Sequence, residues 1–459
     1  MVDEGKCHIV IDSLRNSLEI NFFKERYSAF YLVAVKDDKR RTNIFKKYEN
    51  RKDKDIELLV NQLLEIDEDE YKSSSFKTGR FYEPNVQECI QMADYHINNH
   101  ALVNNLEKLG EQSFYSLEEQ LMKLQGLIQQ PGLITPDSAE RVMQIAYTAK
   151  LNSGCISRQV GAVVTDNEFS TKAIGWNDVP KGSIPCSLRN IKELFNIDEN
   201  LSADEKKQRR FGFTQFELGE GLKEVEQINH SQPDDIDKEI DIESLNFNEY
   251  IKKAYTNEIM INIKLGGKNC PYCFKTAYNA FSGEKNQVHT RSLHAEENAM
   301  LQISRYGGQG LKDGFLFTTA SPCELCAKKA YQLGISTIYF IDPYPGITRS
   351  HILKSMKEQG PKMKLFSGAV GRAYHKLYEP FLSQKDELKL LINFELESPQ
   401  KATNAEAVKA ERQRIEEVKT LAIQKALGRG KLTIEEIAED NSVSTDFVLE
   451  VQRELTKNQ

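Results

Sequence analysis

The amino-acid sequence predicts an α/β fold, and three observations predict it. First, Thr135-Pro136-Asp137-Ser138-Ala139-Glu140 is a loop followed by an aspartate cap with glutamate three residues on, and helical spacing then runs to about Asn152. Second, Gln159 to Val164 and Thr171 to Trp176 read as the two strands of a hairpin around Asp166-Asn167-Glu168. Third, Phe315 to Thr319 and Thr337 to Ile341 are short apolar runs of buried-strand type, each beside a motif that opens a helix. Helix, hairpin and two strand–helix units form the order of an α/β sandwich.

A chain of 459 residues has room for two to four domains. Residues 1–130 read as alternating strands and helices. They hold apolar runs at 7–11 and 30–35, a helix from the Asn16 cap to Arg26, and amphipathic segments over 52–66, 84–100 and 115–129. A central domain spans 136–384. Within it, about 187–265 is a polar, acidic, weakly periodic insertion, expected to hold some helices and to be partly mobile. Residues 385–459 are charged and helical, with helix–turn–helix spacing from Ile434 to Leu455; a solvated helical tail fits this face better than a DNA reader.

The formal charge of −7 and pI near 5.8 argue against a whole-chain nucleic-acid binder, though not against a local basic channel. No run of 18 apolar residues occurs, and the first ten residues lack a signal layout, so the expectation is a cytoplasmic protein with no membrane partner. In that compartment the eight cysteines stay mostly reduced, and clustered ones read as metal ligands.

The chemistry gathers at Arg291-Ser292-Leu293-His294-Ala295-Glu296 and Ser321-Pro322-Cys323-Glu324-Leu325-Cys326. A catalytic zinc takes three protein ligands and keeps one position open. His294, Cys323 and Cys326 supply three. Both motifs fall at expected helix starts, where the dipole and unpaired N–H groups stabilise thiolates, and two cysteines three apart share one helical face. Glu296 is left to move protons. The pattern is similar to the H-x-E…P-C-x-x-C signature of zinc-dependent nucleobase deaminases. In that chemistry zinc supplies an acidified water. Glu296 takes a proton from the water and passes protons to N3 and the departing amine of a cytosine, leaving uracil and ammonia.

Cys155, Cys186, Cys270 and Cys273 make a second set, with one C-x-x-C, that suits a closed structural zinc; the plainer reading leaves Cys155 and Cys186 as small buried residues. Lys181 and Arg291 stand near the motifs as candidate cations for substrate phosphate, with Lys268, Arg349 and His289 as weaker ones. Solvated surface charge is the commoner fate of such side chains.

From about 136 to 380 the chain resembles a deoxycytidylate deaminase. The resemblance is carried by Ser153-Gly154-Cys155-Ile156-Ser157-Arg158-Gln159-Val160-Gly161-Ala162-Val163-Val164, by Gly175-Trp176-Asn177-Asp178-Val179-Pro180-Lys181-Gly182, and by the two zinc motifs. It implies a cytidine-deaminase-like three-layer α/β/α sandwich with a mixed sheet, and substrate contacts from Asn177 and Ala295. It also implies that cysteines matching Cys155 and Cys186 help to hold a second zinc in phage-type members. Asp178 departs from the glycine of many members, and the insertion before Cys270 is unusually long.

Over residues 8–380 the chain resembles, more narrowly, the bacterial anti-phage dCTP deaminases, which join a P-loop-kinase-like N-terminal domain to a deaminase domain. Ile11 to Asn16 and Phe30 to Val35 are similar to the later half of such a domain, but the G-x-x-x-x-G-K-[ST] phosphate loop is absent. This resemblance implies depletion of dCTP and dCMP during infection, a restraint such as an inhibitory RNA, a nucleotide effector, and a homo-oligomer. Two rivals stand beside it. One is a polynucleotide deaminase acting on tRNA adenosine or on cytidine in DNA or RNA. The other is an idle zinc scaffold that binds nucleic acid through residues 431–456. A riboflavin-pathway deaminase fits less well, because its second cysteine motif is spaced differently.

Overall fold

The computed structural model describes residues 2–3, 6–7, 9–37, 40–49, 56–72, 81–99, 116–195, 202, 204–205, 212–219, 242–255, 263–284, 288–307, 310–342, 360–393 and 405–457. Two compact units divide the chain, Met1–Pro380 and Phe381–Gln459.

The first unit starts with a two-stranded pair, β1 (Val2–Asp3) and β2 (Lys6–Cys7). The apolar run at 7–11 makes no longer strand, and Ile9 and Val10 are exposed. Helix α1 (Ser17–Arg26) starts where the Asn16 side chain accepts from the Leu18 amide, as the cap predicts. After β3 (Val33–Lys36) come α2 (Arg40–Tyr48) and α3 (Ile56–Lys72). The segment 84–100, expected as one helix, divides into α4 (Val86–Met92) and β4 (Tyr95–Asn98). All four residues of β4 are buried because both faces of this middle strand are covered, with Tyr95 and Ile97 in one apolar cluster with Leu124 and Leu127 and His96 beside Phe366, a placement that local periodicity does not reveal. It pairs parallel with β3. Helix α5 (Leu117–Gln129) follows behind a Ser116–Glu119 capping box.

The central sheet lies beyond α6 (Ser138–Ala149), which opens with the Asp137–Glu140 capping box. Strands β5 (Gly161–Thr165) and β6 (Thr171–Trp176) form the hairpin, and β7 (Phe315–Ala320), β8 (Thr337–Asp342) and β9 (Lys362–Leu365) extend it. Strand order is β6-β5-β7-β8-β9, with the first three antiparallel and the last three parallel. Side chains alternate between the two faces. Val163, Phe317 and Tyr339 pack on Met143 and Ala146 of α6. Ala162, Val164 and Leu316 face the other way, onto Ala295, Ala299 and Ala330. Those last three residues belong to two helices that carry the zinc motifs. The result is three layers with a mixed sheet, the architecture expected from the sequence.

Strand β10 (Gly368–Ala369) pairs antiparallel with β4 and so completes the N-terminal sheet with residues from beyond the central one. Two buried lysines tie the sheets together. Lys36 Nζ donates to the carbonyls of Ile341 and Phe366 at 3.0 and 2.9 Å. Lys123 Nζ lies 2.7 Å from Glu140, which also accepts from the Ala369 amide at 3.0 Å.

The insertion is less polar in its structure than in its sequence. Helices α7 (Ile191–Phe195), α8 (Gln215–Leu218), α9 (Ile242–Ala254) and α10 (Phe274–Ser282) share a core around Ile191, Phe213, Phe247, Ile251 and Tyr272. Arg189, fully buried, pairs with Glu217 beside the rings of Phe213 and Tyr272. Of the insertion, the acidic stretch 220–241 lies outside the described residues.

In the second unit, helices Ala405–Arg429, Ile434–Asp440 and Thr445–Lys457 pack around Ile423, Ile437, Val448 and Val451. The helix–turn–helix spacing thus corresponds to two short helices on a long one.

Candidate active site

Two helices bring the zinc motifs together. Helix α11 (Ala295–Tyr306) begins directly after His294, and α12 (Glu324–Gln332) directly after Cys323; neither cap residue spends its side chain on capping. The first is seated by the hairpin. The Leu293 amide donates to the Asp178 carbonyl at 2.8 Å, and Asn298 Nδ2 donates to the Trp176 carbonyl at 3.0 Å. Gly175 permits this close approach, since a Cβ there would lie 2.3 Å from the Ala295 carbonyl oxygen. Asp178, out of place beside the family pattern, spends its carboxylate locally, on the Val179 amide at 2.8 Å and the Trp176 indole at 3.3 Å.

His294 Nδ1 lies 3.3 Å from Cys323 Sγ and 3.5 Å from Cys326 Sγ, and the three ligand atoms are within 4.8 Å of one another. One nitrogen and two sulfurs, with room for a fourth ligand, are the donor set of a catalytic zinc. The residues fit the ion. The hydrogen bond from Cys326, and then the one from His294, hold the Cys323 thiol well below its ordinary value. His294 is raised, first by its bond to Cys323.

Glu296 is 4% exposed, and its Oε1 accepts from Thr318 Oγ1 at 3.1 Å. Burial pushes its carboxyl upward, against the hydrogen bonds that favour the charged form. A buried carboxyl beside the ligand atoms is placed to move protons to and from a bound water.

These groups form one side of a cleft of about 310 Å³, whose other walls include Asn177, Arg158, Arg291, Phe274, Lys275 and Gln87. Asn177 is where the sequence expected it, but its amide is also structural: Nδ2 donates to the Arg158 carbonyl and Oδ1 accepts from the Val160 amide, both at 2.7 Å. Ala295 is fully buried at the head of α11 and lines the cleft. Arg291 does too, with a terminal nitrogen 3.2 Å from the Ile184 carbonyl. Lys181 and Lys268 lie on exposed surface, away from the cleft walls, and His289 packs on Tyr278; Arg349 is outside the described residues.

The second cysteine set lies largely around the same cleft. Cys155, Cys186 and Cys273 line the cleft, but among the described residues no three of the set Cys155, Cys186, Cys270 and Cys273 bring their sulfurs within 4.8 Å of one another. The Cys186 sulfur instead accepts from Arg291 at 3.5 Å.

Sequence reasoning missed Arg158, Lys275 and Phe274, which reach the cleft from the loop before β5 and from the start of α10, and Gln87, which reaches it from α4. Arg158 sat inside a quoted motif, two residues before Val160. Nothing in the sequence pointed to Gln87.

Residues 270–342 match the family model described as the cytidine and deoxycytidylate deaminase zinc-binding region. A 55-residue stretch is 42% identical to ComE operon protein 2 of Bacillus subtilis (strain 168); it is 12% of this chain and spans 28% of that protein's length. Among solved structures, the dCMP deaminase of cyanophage S-TIM5 in apo form is 17% identical, covering 51% of this chain and all of that one, with a TM-score of 0.24. A deaminase/reductase from Thermotoga maritima, acting on diaminohydroxyphosphoribosylaminopyrimidine, is 12% identical over 50% of this chain and 36% of that one, with a TM-score of 0.22. His294, Glu296, Cys323 and Cys326 all lie inside the span that matches the zinc-binding region of the cytidine and deoxycytidylate deaminases.

Proposed function

We propose that this protein is a zinc-dependent deaminase of deoxycytidine nucleotides, converting dCTP or dCMP to the uracil nucleotide and ammonia. The observation that carries the reading is the buried Glu296 carboxyl beside the His294, Cys323 and Cys326 ligand atoms at the floor of a cleft with cationic walls. Zinc held by these residues supplies Lewis acidity that brings the pKa of a water toward neutrality. Glu296 accepts the proton of the attacking water and delivers protons to N3 and to the amine leaving C4. Thr318 fixes the carboxyl through Oε1. Asn177 holds the loop that forms one wall, and Arg158, Arg291 and Lys275 put positive charge where a substrate phosphate would lie.

The narrower role, depletion of dCTP as an antiviral defence by a restrained homo-oligomer, is supported by the resemblance of residues 8–380. The test is ammonia release with purified protein on dCTP, dCMP, CTP and cytidine side by side, with Glu296→Ala as the blank. Turnover of the deoxynucleotides alone supports the reading. Turnover of a single-stranded oligonucleotide and of none of the four would replace it with polynucleotide deamination. Loss of phage protection in Glu296→Ala would support the defence role, and full protection would remove it.

A further inference from the structure

Asp342 closes β8, and its carboxylate is fully buried. Four side chains converge on it. The Tyr71 hydroxyl of α3 donates to Oδ1, and Gln87 and Gln91 of α4 donate to Oδ2 at 3.3 and 2.9 Å. The fourth is Arg158, ion-paired with Oδ2. A buried carboxylate is tolerated only when its charge is met and its oxygens are bonded, and this set does both. Three of the four partners come from the N-terminal region. Arg158 lies on the wall of the cleft and keeps 25% of its side chain exposed.

The main chain converges on the same point. Across the sheet Asp342 pairs with Ala320, and its carbonyl accepts from the Ser321 amide at 3.0 Å, two residues before Cys323. The Arg158 carbonyl is held by Asn177 at 2.7 Å. Arg158 is therefore fixed at its backbone by the hairpin side and at its guanidinium by Asp342.

We propose that Asp342, oriented by Tyr71, Gln87 and Gln91, is a positioning residue that aims Arg158 along the cleft. The N-terminal region thereby sets how tightly the site holds a substrate phosphate; this clause rests on the deaminase reading above. The gain is preorganisation. A guanidinium already held in place loses little freedom when an anion arrives, whereas a released one must be ordered by the substrate.

The test compares Asp342→Asn and Tyr71→Phe with the wild type on dCMP and on deoxycytidine, which lacks the phosphate. In Asp342→Asn, kcat/KM for dCMP relative to deoxycytidine falls about tenfold, through KM and with kcat nearly constant, as expected when binding common to ground and transition states is lost. Tyr71→Phe moves the ratio the same way by a smaller factor. Equal losses on both substrates, or a loss in kcat alone, would overturn the proposal. Hydrogen exchange gives an answer that does not need turnover: amides 153–160 exchange faster in both variants while hairpin 161–176 does not. Were the wild type to turn over none of dCTP, dCMP and deoxycytidine, the deaminase reading would fall, and unchanged exchange at 153–160 would separately overturn the link between Asp342 and the cleft.

Discussion

Gly175→Ala tests how the hairpin seats the catalytic helix. A Cβ built on Gly175 lies 2.3 Å from the Ala295 carbonyl oxygen and 2.5 Å from the Ala299 amide nitrogen, where ordinary contact begins at 3.4 Å. The obstacle is helix backbone and cannot rotate away. Strand β6 and helix α11 must separate by about 1.1 Å, the difference between 3.4 and 2.3 Å. Ala295 stands between His294 and Glu296, so the displacement falls on the zinc ligand and the proton shuttle together. Overpacking of this kind costs about 1–3 kcal/mol of stability, and misplacing reacting groups by about 1 Å costs about a hundredfold in rate. The expected outcome is a folded variant with a lowered melting temperature, less zinc per chain by atomic absorption, and ammonia release down about a hundredfold. Wild-type zinc content and melting temperature in Gly175→Ala would refute the close approach.

Lys123→Met leaves the buried Glu140 carboxylate without its cation, and breaking such a pair costs about 3–5 kcal/mol; denaturant unfolding reads it, and a loss below about 1 kcal/mol would show the pair to be dispensable. His96 is fully buried, and neither ring nitrogen hydrogen-bonds to a described residue. Burial, and then Lys36, hold its pKa well below the usual value, so below pH about 6.5 the unfolded chain takes up a proton that the folded chain refuses. Stability accordingly falls on acidification, by up to about 1.4 kcal/mol per pH unit from this residue, and His96→Leu flattens that limb; an unaltered acid limb would contradict it. Zinc analysis is expected to give one ion per chain in the wild type and in Cys270→Ser, and a loss of it in Cys323→Ser. A second ion that disappears with Cys270 would show that the four cysteines hold a structural zinc.

The site was legible because its parts lie close in sequence. His294 and Glu296 share one helix start, Cys323 and Cys326 another, and each motif abuts an apolar run that the sheet buries. Asn16, Asp137 and their helices were legible for a similar reason, since a cap is read within four residues. What stayed hidden depends on distant partners. β4 is the middle strand of its sheet because β3 and β10, some 60 and 270 positions away, flank it, and residues as distant as Phe366 cover its faces. The insertion looked polar because the aromatics of its core are scattered from Phe213 to Phe281. Of the second cysteine set, Cys155, Cys186 and Cys273 line the same cleft, though chain spacing alone shows only the Cys270–Cys273 pair as neighbours. Arg158 and Gln87 are ordinary polar residues until Asp342, far along the chain, gathers them beside the cleft.

The most direct test of the central claim follows the oxygen atom. Purified wild-type protein and dCMP are incubated in oxygen-18-labelled water, with Glu296→Ala alongside, and the product is weighed by mass spectrometry. Deamination by an attacking water, with Glu296 moving its protons, predicts dUMP labelled at C4, one ammonia per product, and neither in the variant. Unlabelled product, or equal turnover in Glu296→Ala, would contradict it.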